Sequence, residues 1–224
     1  MAPFDVLTFD CYGTLIDWES GISNAFLHAA RAHDVRLNRG EILATYAQTE
    51  PVIQARSFRS YRDVLTDVAV EVAGRLGWII DRETARFLPD SLPSWPPFED
   101  TNDALERLAE RYPTVGILSN VDDDLLTLTR RHLQVEFAIL VTAQQVRAYK
   151  PAPSHFRRAA EIIGNRRWLH VAQSYFHDIE PAFQLGIPAV WVNRKHDRPT
   201  GDARPLHEVS SLRELAEWLL AVET

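Results

Sequence analysis

Residues 4–17 read FDVLTFDCYGTLID, and the parsing of that stretch decides the fold. Val6, Leu7, Thr8 and Phe9 form a short apolar run of β-prone residues, the length and composition of a strand buried on both faces. The run stops at Asp10. Gly13 then permits a backbone turn that a side chain would resist, and the Thr14 hydroxyl with the loop N–H groups can face an anion. A carboxylate is thus set at the mouth of a buried strand, inside a loop suited to negative charge. Alone, Asp10 reads more simply as the start of a turn; the rest of the chain decides.

Downstream, four helical patterns follow with no strand between them. They cover residues 19–33, about 39–54 with Pro51 expected to kink or restart the helix, about 61–76 with Gly77 at a C-cap position, and about 82–91. The segment SLPSWPPF, with three prolines, then breaks regular structure. After Pro97 helix and strand alternate. Helices are expected at 100–112, 122–133, 154–163 (closed by Gly164) and 179–185 (closed by Gly186). Strands are expected at 115–118, 137–141, 168–172 and 189–192. Ser211 and Glu214 form a capping box for a last helix. Repeated strand–helix units imply a parallel sheet covered by helices. The fold class expected is α/β, a Rossmann-like three-layer α/β/α core with an inserted helical cap. The core takes residues 1–16 and 97–224, and the cap takes 17–96.

Composition narrows the function. The chain has 224 residues, 46% hydrophobic, with a formal net charge of −7. A mildly acidic, mixed-sign surface gives no reason to expect a nucleic-acid partner. No apolar stretch approaches bilayer length and no leader pattern opens the chain, so no membrane partner is expected. The one cysteine, Cys11, has no internal partner, which fits a reducing cytoplasm. Arginine dominates the basic residues; the only lysines are Lys150 and Lys195. A lysine in such a chain is a candidate for work that needs a compact point charge.

In a parallel α/β sheet, ligands bind beyond the carboxyl ends of the strands. The first strand leads to Asp10, Tyr12 and Thr14. The second leads to Ser119 and Asn120 at a helix start, an anion site or merely an N-cap. The third leads through a loop to Lys150, and the fourth to Gln173, Ser174 and Asp178. A positive charge near Asp10 would hold it ionised, as an attacking carboxylate must be. Asp178 could orient Lys150 or activate a water.

The motifs DCYGTL, LSN, YKP and the strand ending before QSYFHD, in that order, resemble the four motifs of the haloacid dehalogenase superfamily over essentially the whole chain. The resemblance implies a hydrolase in which Asp10 is the nucleophile and forms a covalent ester. Ser119 and Thr14 would bind the anionic part of substrate, Lys150 would neutralise it, and Asp178 would be the last acid. Tyr12, Asn120 and Ser174 are further candidates for substrate contact. Cys11, a small packing residue beside the nucleophile, joins them.

The superfamily's phosphatases carry a second Asp where this chain has Tyr12, and an acid for Mg²⁺ where it has Gln173. Its 2-haloacid dehalogenases carry Tyr at the first position, since a halide leaves without a proton. The resemblance therefore favours a short 2-halocarboxylic acid as the small anionic substrate, and no cofactor. The departures are a missing halide-accepting arginine, with Ala47 near its position in ATYAQTEPVIQAR, and Gln173 and Tyr175 where the dehalogenases have Ser and Asn. Arg56, Arg59 and Arg62 are candidate replacements for that arginine. A Mg²⁺-dependent phosphatase remains the alternative, with Asp10, the Tyr12 backbone and Asp178 as metal ligands, as does a non-catalytic binding protein. The oligomeric state is open, a homodimer included.

Overall fold

The computed structural model describes residues 3–221. The chain divides into two compact units. The first comprises Met1–Ile16, Pro97–Asn120 and Arg131–Thr224; the second comprises Asp17–Pro96 and Val121–Arg130. The sequence reading placed 121–130 with the sheet. In the structure, that segment packs with the helices of the second unit.

The first unit is built on six parallel strands, β1 (Val6–Phe9), β2 (Val115–Ser119), β3 (Ile139–Thr142), β4 (Trp168–Ala172), β5 (Ala189–Val192) and β6 (His207–Val209). Their order is β3-β2-β1-β4-β5-β6, so β1 is central. All of its residues are buried, as its unbroken apolar run requires. Gly116 of β2 is a close-approach glycine: a Cβ there would lie 2.7 Å from Ile139 Cβ and 2.9 Å from Ile139 O on β3.

Side chains alternate across a sheet. Val6, Leu118, Ile139, Val141, Trp168, Ala172 and Trp191 therefore share one face. They cluster with Phe156, Ala159 and Ile163 of a helix at Ser154–Ile163. The alternate residues Leu7, Phe9, Ile117, Leu169, Val171 and Val190 are buried on the other face. The helices Thr101–Arg111 and Leu212–Ala221 pack on each other, and Tyr112 Oη donates to Leu219 O at 3.3 Å.

In chain order the helices are α1 (Trp18–Ala32), α2 (Arg39–Gln54), α3 (Tyr61–Arg75), α4 (Phe87–Ser91), α5 (Thr101–Arg111), α6 (Asp123–Thr129), α7 (Ala143–Val146), α8 (Ser154–Ile163), α9 (Glu180–Gln184) and α10 (Leu212–Ala221). The second unit holds α1–α4 and α6. Helix α2 passes Pro51 without ending. The carbonyl that the missing N–H would have bonded belongs to Ala47, which is exposed and so open to water. Gly21 lies against Trp95, where a Cβ would come within 2.2 Å of the ring. The Asp122 carboxylate accepts from the Tyr61 and Arg62 N–H groups, both at 2.9 Å. It thereby caps the start of α3 from sixty residues away in sequence. Among the described residues no helix is long and apolar enough to cross a membrane.

Candidate active site

The carboxyl ends of β1, β2 and β4 bring Asp10, Ser119 and Asp178 into one buried cluster with Lys150. Lys150 Nζ is its hub. It donates to Asp10 Oδ1 at 2.9 Å, to Asp178 Oδ1 at 2.6 Å and to Leu118 O at 2.9 Å. The Lys150 and Asp178 side chains are each 1% exposed and that of Asp10 is 9% exposed. An ammonium has three protons, and all three are taken. Lys150 therefore acts on a bound anion through its charge and has no hydrogen bond left to give.

Burial alone would push the lysine's pKa down, but Asp10 and Asp178 together raise it. For Asp178, burial pushes upward, and the Lys150 charge and a hydrogen bond from His170 more than offset it, leaving the carboxyl below its usual range. Asp10 goes the other way: burial raises it, with the neighbouring Asp178 charge adding to the rise and Lys150 and Thr14 opposing it. The two carboxyls are thus shifted in opposite directions, Asp178 down and Asp10 up.

The loop after β1 orients the nucleophile candidate. Gly13 has φ 102°, a conformation that side chains disfavour, and its N–H donates to Ile16 O at 2.8 Å. Thr14 Oγ1 accepts from the Gln173 N–H and donates to Asp10 Oδ2, both at 2.9 Å. The Thr14 hydroxyl thus holds Asp10. Asn120 works on the backbone: its Oδ1 accepts from Lys150 N at 2.7 Å and its Nδ2 donates to Lys150 O at 3.1 Å. Ser174 is paired with His177, its Oγ 3.0 Å from the imidazole Nδ1, and it caps the turn that carries Asp178. Cys11 is fully buried, and its thiol pKa is raised well above the usual value by burial and by the adjacent Asp10. Tyr12 is half-buried. Among the described residues of this cluster, two buried side-chain oxygens have no hydrogen-bond partner, Ser119 Oγ and Asp178 Oδ2.

Three buried polar residues escaped the sequence reading. His170 lies 3.0 Å from Asp178 Oδ1. His155 Nε2 donates to Ser119 O at 3.1 Å, and burial holds it neutral with a pKa of about 3. Thr8, taken as a β-former, bonds His170. The signal was present, since a histidine inside the apolar run WLHVA needs buried partners. In the second unit, Arg59 is paired with Asp67, and Arg62 with Asp90 and Asp124. Arg56 is exposed.

The haloacid dehalogenase-like hydrolase family matches residues 4–186. The chain belongs to that family and is a hydrolase. An (S)-2-haloacid dehalogenase of Pseudomonas fluorescens is 27% identical over 95% of each chain. Among solved structures, the L-2-haloacid dehalogenase of Xanthobacter autotrophicus with chloropropionic acid covalently bound superposes with a TM-score of 0.84. It is 20% identical and covers 98% of this chain and 99% of that one. A magnesium-bound HAD-hydrolase, YfnB of Bacillus subtilis, superposes with a TM-score of 0.82 at 17% identity, covering 97% and 99%. The fold is common to both, so the choice of reaction rests on the site.

Proposed function

We propose that the chain hydrolyses a short 2-halocarboxylate through an ester on Asp10, without a metal. The observation that carries this reading is the ammonium of Lys150 set between Asp10 and Asp178, donating to Oδ1 of each. It supplies the positive charge that keeps an attacking carboxylate ionised. One Asp10 oxygen attacks C2 of the substrate, the carbon–halogen bond breaks, and the halide departs with the bonding pair. Water then attacks the ester carbonyl carbon of Asp10 and loses its proton toward Asp178. The acyl carbon–oxygen bond then breaks, the C2–O bond stays with the product, and the departing alkoxide takes the proton held by Asp178 to leave as the 2-hydroxycarboxylate; the second proton of the water goes to solvent, which restores the Asp10 carboxylate. Asp178 Oδ2, buried and unclaimed, is the oxygen suited to that water. Ser119 Oγ, equally unclaimed, is the donor left for the substrate carboxylate.

Mg²⁺ prefers several hard oxygen ligands, and the donor set here suits it poorly. The Oδ1 atoms of both carboxylates already accept from Lys150, and position 173 offers an amide. Tyr12 stands where a proton donor to an alkoxide would be needed, and a phenol titrates near about 10. A halide requires no such donor. Halide release from a 2-halocarboxylate and phosphate release from p-nitrophenyl phosphate, each measured with EDTA and with Mg²⁺, test the reading. Chelator-resistant halide release is expected. Mg²⁺-dependent phosphate release without halide release would replace it with the phosphatase alternative.

A further inference from the structure

A buried ring nitrogen without a partner is costly, and His170 has one at each nitrogen, unlike His155, whose Nδ1 has none. His170 is fully buried in the middle of β4, directly opposite Thr8 of β1 in the parallel register. Its Nδ1 lies 2.9 Å from Thr8 Oγ1, and its Nε2 lies 3.0 Å from Asp178 Oδ1. A third residue shares the Thr8 hydroxyl. Trp168 Nε1 lies 2.7 Å from Thr8 Oγ1, and an indole N–H can only donate. Thr8 Oγ1 thus joins the indole to His170 Nδ1, while Asp178 Oδ1, a carboxylate oxygen that also takes a proton of Lys150, can only accept from Nε2. The ring proton sits on Nε2, facing Asp178. Phe156 meets the imidazole edge-on at 5.1 Å between ring centres and walls off its remaining surface.

We infer that His170 is a positioning residue of this site: its Nε2–H donates to Asp178 Oδ1 and leaves Asp178 Oδ2 unclaimed. The effect on turnover rests on the role proposed above for Asp178; the Nε2–H does not. Asp178 Oδ1 then has two donors, His170 and Lys150. Without the imidazole, Lys150 alone would hold it, and the carboxylate could rotate about its Cβ–Cγ bond and present either oxygen. The other groups whose charge acts on Asp178 are Asp10, His155 and His177. His155 and His177 are both pushed toward the neutral form by burial. His170 is thus the imidazole placed to help keep Asp178 ionised by direct hydrogen bonding.

The tautomer is read on the wild-type protein by ¹⁵N-histidine NMR, with the His170 resonances assigned through the spectrum of His170→Gln. A protonated, pyrrole-like Nε2 is expected. A bare, pyridine-like Nε2 would overturn the inference whatever the substrate. The second arm compares His170→Phe, which keeps the ring volume and loses the donor, with His170→Gln, whose terminal amide can replace the Nε2–H. Phe should lower kcat about ten- to a hundred-fold, the worth of a hydrogen bond to a charged group. KM should hardly move, and the acid limb of the kcat profile should shift upward by about one pH unit. Gln should recover most of the rate and the profile. A folded His170→Phe enzyme with the wild-type kcat and profile would also overturn it. Failure of the wild type to release halide counts against the proposed reaction and leaves the NMR arm to judge His170.

Discussion

Lys150 shows how a single residue type can be dictated by geometry. Its three acceptors, two carboxylate oxygens and the Leu118 carbonyl, surround one nitrogen at 2.6–2.9 Å. A tetrahedral ammonium meets that arrangement, whereas a planar guanidinium is longer and spreads its donors in a fork. Lys150→Arg should therefore fold with difficulty and lose at least about a hundred-fold in kcat/KM, while Lys195→Arg, at an exposed position, should match wild type. Equal rates in the two variants would reduce Lys150 to a structural residue. Single turnover in ¹⁸O water should leave label in the Asp10 peptide, read by mass spectrometry. Label found in product with none in Asp10 would exclude an Asp10 ester.

At the scale of the element, α2 carries a buried acid with a visible cost. Glu50 is 9% exposed and its Oε1 accepts only a neutral donor, Gln54 Nε2 at 2.6 Å. Burial raises its pKa from 4.5 to about 7. A carboxyl with a raised native pKa binds its proton more tightly when folded. Its contribution to stability is therefore intact below about pH 4.5, falls as pH rises toward 7, and is flat above that. The loss is of order 3 kcal/mol at most, at about 1.4 kcal/mol per pH unit. Glu50→Gln should be more stable than wild type at pH 8 and close to it at pH 4.5, measured by urea unfolding at both. An equal difference at both pH values would show that Glu50 does not titrate in this range.

Elements with a strong period were legible in the sequence: Ser154–Ile163, Trp168–Ala172 and Ala189–Val192 have the expected bounds. What was missed lacked such a signal. Strand β6 has three residues, too few to alternate. Asp178 lies in a widened, π-type turn over Tyr175–Ile179 before α9, where the sequence pattern gave only a helix from 179. Reading the strand ends pointed to Asp10, Ser119, Lys150 and Asp178. It passed over His170 and Thr8 because they lie within the strands, and it could not show that Asn120 and Thr14 would turn their polar atoms inward onto Lys150 and Asp10.

Over the whole sheet-bearing unit, one ion pair ties together parts of the chain that the sheet hydrogen bonds do not. Asp100, just before α5, receives Arg194 through Nη1 at 3.2 Å and Nη2 at 3.1 Å, and the Leu212 N–H at the start of α10 at 2.7 Å. Arg194, two residues past β5, also donates to the Thr14 carbonyl at 3.0 Å and lies 3.9 Å above the Phe98 ring. Its side chain is 15% exposed and that of Asp100 is 12% exposed, so water replaces these contacts poorly if one partner is removed. Asp100→Ala would leave a largely buried guanidinium without its carboxylate and the first N–H of α10 without an acceptor. It should cost about 2–3 kcal/mol, below the full value for a completely buried pair, read as a lower urea midpoint at unchanged m-value. Asp100→Asn keeps an oxygen for Leu212 and loses the charge, so it should fall between Ala and wild type. The same cut frees the Thr14 carbonyl from its clamp, so Asp100→Ala should also lower kcat by loosening the loop that aims Asp10, even where the protein remains folded. An Asp100→Ala protein within about 0.5 kcal/mol of wild type would mean that the β5 end, the loop after β1 and α10 hold their places without this pair.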